Sequence, residues 1–223
     1  MSGIEITARR VGADREPVVI IDGFHPDPSV LLALAARRTF VQAVRHYPGV
    51  RAELPGDYMP TTRKVIASVL GDVFACRDRI DILDASFSVV TTPPTELSIM
   101  QRLPHVDSVR PDRYAMVHYL SDGDGTAFFR HRSTGFESIP EARSAEYFAR
   151  LNDELRDLGP PPRSYLCDSG PLFERISLVE ARMNRAVIYR SSLLHSGAIA
   201  PDAILSDDPA RGRLTVTAFF DAA

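Results

Sequence analysis

The chain has 223 residues, 44% of them hydrophobic and 25% charged, with a formal net charge of −3. That is enough apolar material for one core without disulfides, and the mildly acidic balance advertises no nucleic-acid partner. The two cysteines, Cys76 and Cys167, form no CxxC or zinc-knuckle spacing and are expected as reduced thiols.

The opening stretch, MSGIEITARRVGADRE, is polar and lacks the apolar segment of a signal peptide. No apolar run reaches the roughly 18 residues a membrane helix needs, so no membrane association is expected and a cytoplasmic protein follows by default. PVVII at 17–21 predicts a short strand closed by Asp22-Gly23. Asp27 and Pro28 then predict a helix from about 28 to 39. HYPGVRAELPGDYMP at 46–60 reads as loop; His46 and Tyr47 lie in it with no role fixed. Thr61 or Thr62 can cap a second helix ending near Cys76. The residues up to 80 are therefore expected to be a helical lead-in and support.

After Asp81 the texture changes. ILDASFSVVTT, ELSIMQRL, RYAMVHYL, GTAFFRHR, FERISLVEA, NRAVIYR, SLLHSGAIA and GRLTVTAFF are β-branched or alternating and separated by turn signals. One amphipathic helix, about 140–158 and closed by Gly159, interrupts them. Many short strands at near-regular spacing predict a mainly β fold with flanking helices, of sandwich, barrel or jelly-roll type. The whole of 1–223 is expected to be one domain, with the jelly-roll core in 81–223.

His105-Val106-Asp107 places two metal-binding side chains two residues apart, so that an extended chain points both to one side. A second histidine from elsewhere would complete a two-His, one-carboxylate triad, which holds a metal and leaves positions open. The motif alone is common, and His25-Pro26-Asp27 matches it too. There, capping explains Asp27, and the flanking prolines oppose a strand. His195, between two predicted strands, is the natural third ligand, against the alternative of a hydrogen-bonded core histidine. Arg213 opens the last strand. An arginine pointing into a β fold is costly unless it meets an anion, and its fork fits a carboxylate. Thr215 shares its strand face and is expected to help. The alternative is an Arg213 that lies at the surface.

The order His105-x-Asp107, YAMVHYLSDGDGTAFFRH, NRAVIYRSSLLHSG and GRLTVTAFF resembles the double-stranded β-helix (jelly-roll, cupin-like) oxygenases. It is closest in style to the prolyl-hydroxylase-like branch and a largely uncharacterised bacterial group of it. VVIIDGFHPDPSVLLALA and HYPGVRAELP add to the likeness, which spans roughly 17–220. The resemblance implies iron(II), 2-oxoglutarate and molecular oxygen, with ascorbate an optional reductant, and release of succinate and CO2. By position it implies His105, Asp107 and His195 as iron ligands and Arg213, with Thr215, as the site of the co-substrate's distal carboxylate. Tyr119 corresponds loosely to a tyrosine that touches the co-substrate in some relatives. Arg130 and His131 border the matching pocket region and are candidates for holding an acidic substrate, against the plainer reading of a solvated loop. The expected reaction is hydroxylation of an amino acid, peptidyl residue or natural-product intermediate. A cupin-like iron dioxygenase without a keto acid and a non-catalytic jelly-roll binding protein remain as alternatives. Substrate identity and oligomeric state are not legible.

Overall fold

Asp27 starts the first helix as its sequence predicts. Its carboxylate accepts from the Val30 amide at 3.3 Å, Pro28 sits in the first turn, and α1 runs Pro28–Ala35. The helix stops short of Thr39 because the Arg37 and Arg38 amides turn back to the Leu34 and Ala35 carbonyls, each at 3.0 Å. The second helix, α2, runs Tyr58–Phe74 and begins before Thr61. Thr62 sits inside it, its hydroxyl donating to the Tyr58 carbonyl at 3.0 Å, rather than capping it. The third, α3, runs Glu141–Leu158 and ends at Gly159, whose φ of 79° no other residue takes as readily. The computed structural model describes residues 3–43 and 47–223, so His46 lies outside the described residues.

Eleven strands form two antiparallel sheets among the described residues. In chain order they are β1 (Glu5–Val11), β2 (Glu16–Asp22), β3 (Val41–Gln42), β4 (Gly49–Glu53), β5 (Ile80–Val90) and β6 (Arg113–Tyr119). Then come β7 (Gly123–His131), β8 (Phe173–Ala181), β9 (Arg185–Arg190), β10 (His195–Gly197) and β11 (Leu214–Ala222). The large sheet has the order β1-β2-β9-β6-β11-β5-β4-β3, and the small one β10-β7-β8. Four strands fall before residue 80, so the lead-in expected to be helical also builds both edges of the large sheet. ELSIMQRL forms short 3-10 turns at Pro94–Glu96 and Met100–Arg102 instead of the expected strand. The Arg102 guanidinium folds back on the Leu97 carbonyl at 2.6 Å, which holds this stretch curled.

Alternation along the strands divides the side chains between three clusters. Val19, Ile21, Phe87, Met116, Ile188 and Val216 face outward from the large sheet onto Leu31 of α1 and Ile66, Val69 and Leu70 of α2. The opposite face sends Val18, Ile20, Tyr119, Val187 and Tyr189 inward against Phe128, Val179 and Ala181 of the small sheet. Ala127, Phe129 and Phe173 leave the small sheet on its far side and meet Tyr147 and Leu151 of α3. The layers are thus helices, large sheet, small sheet, helix: a jelly-roll-like β sandwich, with α3 packed outside it.

The β1–β2 turn is tied to the segment that follows β7. Gly12, at φ 62°, turns the chain so that the Ala13 and Asp14 amides donate to the buried Glu137 carboxylate at 3.0 and 2.9 Å. A side chain at Gly12 would overlap that carboxylate. No helix among the described residues is long and apolar enough to cross a membrane.

Candidate metal centre

Backbone pairing brings the three predicted ligands together. His105 lies outside any extended strand, in the run of turns before β6. Its amide donates to the His195 carbonyl at 2.8 Å, and the His195 amide donates to the His105 carbonyl at 3.0 Å. This mutual bridge adds residue 105 to the free edge of β10. Two residues on, the Asp107 amide donates to the Ser191 carbonyl at 2.9 Å, so the chain stays alongside the segment leading into β10. Both side chains are delivered to one place without a regular strand.

Asp107 stands between the two imidazoles. One carboxylate oxygen is 3.6 Å from His105 Nε2 and the other 3.3 Å from His195 Nε2. The rings are 4.4 Å apart between centroids. One ligand atom from each residue falls within 4.8 Å of the others, the spacing a single metal ion needs. The site is open on one side: the His105 side chain is 48% exposed, while those of Asp107 and His195 are 18% and 7% exposed.

The His195 ring is oriented from behind. Its Nδ1 lies 2.8 Å from the Leu193 carbonyl, which can only accept, so Nδ1 carries a proton and Nε2 is the nitrogen that donates to Asp107 when the ring is charged and offers its lone pair to a metal when it is neutral. Tyr189 packs edge-on against the same ring at 4.8 Å. Burial alone would lower the His195 pKa. The Asp107 charge and hydrogen bond, with the Leu193 carbonyl, outweigh it and raise the pKa overall. Burial likewise works to raise the Asp107 pKa, and the two histidines and Arg51 prevail and lower it. Two imidazoles and a carboxylate on one side of a partly enclosed point can hold a divalent transition metal and leave further positions free.

Arg213 shares this interior, since both its charge and that of Asp107 act on Tyr189. Its Nε donates to the Asp124 carbonyl at 2.8 Å and its Nη2 to the Gly125 carbonyl at 3.0 Å. One edge of the guanidinium is thereby fixed by backbone. The end-on pair of N–H groups on Nη1 and Nη2 stays available to an anion. The guanidinium also lies 5.5 Å from the Tyr119 ring centroid.

The other predicted residues take different parts. The Tyr119 hydroxyl is buried and 2.6 Å from Thr126 Oγ1, with its ring beneath the Arg213 guanidinium. Thr215 does share the Arg213 face, but its hydroxyl donates to the Ser88 carbonyl at 3.2 Å and has no proton left for a carboxylate. Arg130 is engaged by Glu137 at 2.8 Å and Glu174 at 3.0 Å. His131 points out of the sandwich, fully buried under α3, with Nε2 2.7 Å from Glu154. Protein partners therefore occupy both residues expected at the substrate. His25 and Asp27 are used locally: His25 Nδ1 accepts the Asp27 amide at 3.1 Å.

Tyr47 is the residue that sequence reasoning left without a role. Burial raises its pKa against the pull of Arg213, Arg51 and the Thr215 and Ser88 hydroxyls. Its own hydroxyl is buried and closes hydrogen-bond geometry with none of them. Its signal in the sequence was only a tyrosine in a Pro-Gly loop.

Fold and site together define a β-sandwich protein with a two-His, one-carboxylate cluster able to hold one metal ion. The chain belongs to DUF6445, a family of unknown function, whose model matches residues 2–220. No curated protein matches it. Among solved structures it is similar to AviO1 from Streptomyces viridochromogenes Tue57, at 11% identity and a TM-score of 0.43, covering 98% of this chain and 89% of that one. It is similar to EvdMO1 at 13% identity and a TM-score of 0.46, where 98% of this chain matches but only 55% of the other. A third is a novel N-substituted L-amino acid dioxygenase from Burkholderia ambifaria AMMD, at 11% identity and a TM-score of 0.45, covering 99% and 95%.

Proposed function

We propose that the protein is an iron(II)- and 2-oxoglutarate-dependent oxygenase on a double-stranded β-helix, hydroxylating a small, amino-acid-like substrate. The observation that carries this reading is the convergence of His105, Asp107 and His195, with one ligand atom each within 4.8 Å. The donor set fits iron(II): two neutral nitrogens and one anionic oxygen satisfy the ion while leaving coordination positions for a chelating keto acid and oxygen. When bound, the iron and keto acid supply the oxidising chemistry, with succinate and CO2 as co-products.

The chain's own groups have separable tasks. The Leu193 carbonyl keeps the His195 proton on Nδ1 and its lone pair on Nε2. Asp107 contributes the negative charge that offsets part of a divalent ion. Arg213, with one edge clamped by the Asp124 and Gly125 carbonyls, offers its other N–H pair to the distal carboxylate. Tyr47 supplies the hydroxyl donor that Thr215 cannot, since its proton has no partner among the described residues. The apolar interior of Val187, Tyr189 and Phe128 excludes water around the reacting groups.

A second reading, a metal-dependent dioxygenase that takes no keto acid, is favoured by the backbone carbonyls already on Arg213. One titration separates the two. Iron(II) and then 2-oxoglutarate are added without oxygen and the visible spectrum is recorded for the wild type, His105→Ala and Arg213→Ala. A charge-transfer band needing both components, absent in the first variant and demanding far more keto acid in the second, is expected. Tight iron binding with no band at any keto acid concentration would replace the first reading by the second.

A further inference from the structure

A second arginine stands on the same inner face and has no assigned task. Arg51 of β4 is in register with Ser88 of β5, Ser88 with Thr215 of β11, and Thr215 with Tyr119 of β6. Cross-strand partners project to one face. The Ser88 hydroxyl meets that of Thr217 at 2.8 Å, and Thr217 shares a strand face with Arg213. Arg51 therefore rises from the floor that carries Arg213. Its guanidinium lies 4.8 Å from the Tyr47 ring centroid, and its charge is felt at Asp107.

This part of the floor is polar: Ser88 and Thr215 are fully buried and Thr217 nearly so. The interior apolar cluster draws on β2, β6 and β9 and takes nothing from β4 or β5. Nη1 of Arg51 pairs with Asp84 at 3.0 Å, and the side chain keeps 24% of its surface exposed. Among the described residues Nε has no hydrogen-bond partner although it is buried. Arg213 differs at this edge: there the Nε and Nη2 groups are held by backbone carbonyls. Arg51 thus keeps the side-on fork that a carboxylate fills with two parallel bonds. A protonated donor left buried and unpaired is costly, and a ligand oxygen relieves it.

We propose that Arg51 anchors a free carboxylate of the prime substrate, which makes that substrate a small organic acid such as an amino acid with its carboxyl group unblocked. This rests on the oxygenase reading, in which Arg213 is taken by the co-substrate, and assigns the second cation to the molecule that is oxidised.

The test uses the nitrogen-15-labelled full chain with zinc(II) in place of iron and saturating N-oxalylglycine in place of 2-oxoglutarate. The Nε–H signal of Arg51, identified by its loss in Arg51→Lys, is followed as propionate or propionamide is added. A saturable shift with the acid and none with the amide is expected, together with N-oxalylglycine affinity in Arg51→Gln within about twofold of wild type. No saturable shift, or equal shifts with acid and amide, would overturn the assignment while leaving the oxygenase reading intact. Loss of N-oxalylglycine affinity in Arg51→Gln as large as in Arg213→Gln would also overturn it, by placing Arg51 in the co-substrate pocket. If N-oxalylglycine fails to bind the zinc-loaded wild type, the co-substrate reading is the one that fails. The acid and amide titrations on the zinc form alone then still decide the role of Arg51.

Discussion

The ring of His195 is aimed by a carbonyl two residues before it: Nδ1 and the Leu193 oxygen are 2.8 Å apart. The metal-facing nitrogen is thereby fixed before any metal arrives. Such outer partners of a ligand are worth about 10–100-fold in metal affinity, so loss of a ligand itself is expected to cost about 100-fold or more. His195→Gln and Asp107→Asn should each do so in an anaerobic cobalt(II) titration read by its visible bands. Wild type at a metal concentration 100 times its Kd should gain about 2.7 kcal/mol of stability. Unfolding curves with and without chelator would show that gain in the wild type and not in Asp107→Asn. An equal gain in both would place the metal elsewhere.

Tyr47→Phe should move stability and co-substrate binding in opposite directions. Among the described residues the buried hydroxyl has no partner, so its removal relieves about 1 kcal/mol or more of unsatisfied desolvation. If it donates to the keto acid's distal carboxylate, the same change removes a bond to a charged group worth about 1.5–3 kcal/mol, or roughly 10- to 100-fold in affinity. Urea unfolding and the 2-oxoglutarate titration of the iron form read the two effects separately. Unchanged keto acid affinity would remove Tyr47 from the pocket.

The parts legible in the sequence were those written in local patterns. The strand alternation of 113–120, 173–181 and 212–220 and the Asp27 cap translate directly into elements, because their causes lie within a few residues. His105, Asp107 and His195 were legible as a set because few side-chain types bind metals, although the strand expected to carry the first two is a single bridge. Partnership across the fold was not legible. Nothing near Thr215 in sequence says that its proton goes to the Ser88 carbonyl 127 positions away. Nothing near His131 says that Glu154 of α3 waits for it. Arg51 and Tyr47 sat in a stretch read as loop, and only the pairing of β4 with β5 turns Arg51 toward the site.

His131 illustrates the difference with a measurable consequence. It is fully buried, its Nε2 is 2.7 Å from Glu154 and its Nδ1 2.9 Å from the Thr134 hydroxyl. The ring also packs edge-on against Tyr147 and at a tilt against Phe173, at 5.1 and 5.2 Å. His131→Ala should therefore leave a cavity and a poorly partnered carboxylate under α3, at a cost of about 2–4 kcal/mol. Metal and keto acid affinities should stay within about twofold of wild type. A variant of unchanged stability with impaired turnover would return His131 to the substrate site.

A second buried histidine makes stability depend on pH. His118 is wholly buried on the helix side of the large sheet, between the Tyr58 hydroxyl at 3.0 Å and the Asn184 side-chain carbonyl at 3.1 Å. The amide oxygen accepts, so Nε2 carries the proton and Nδ1 receives the tyrosine's; the neutral ring satisfies both neighbours. Burial, aided by His25 and opposed by the Asn184 bond, lowers its pKa from 6.5 to about 3. Between those values the unfolded chain holds a proton that the folded chain refuses, so stability is full above pH 6.5 and falls as pH drops toward 3. At about 1.4 kcal/mol per pH unit, His118 should account for a loss of roughly 2 kcal/mol between pH 7 and pH 5. His118→Gln keeps a donor and an acceptor but does not titrate, so its stability profile should be flatter than that of the wild type by this amount. The comparison uses metal-free protein in urea, where the other titrating groups contribute equally to both curves. Parallel profiles would show that the folded protein admits the proton at His118 without strain, and that the polar contacts to Tyr58 and Asn184 do not depend on a neutral ring.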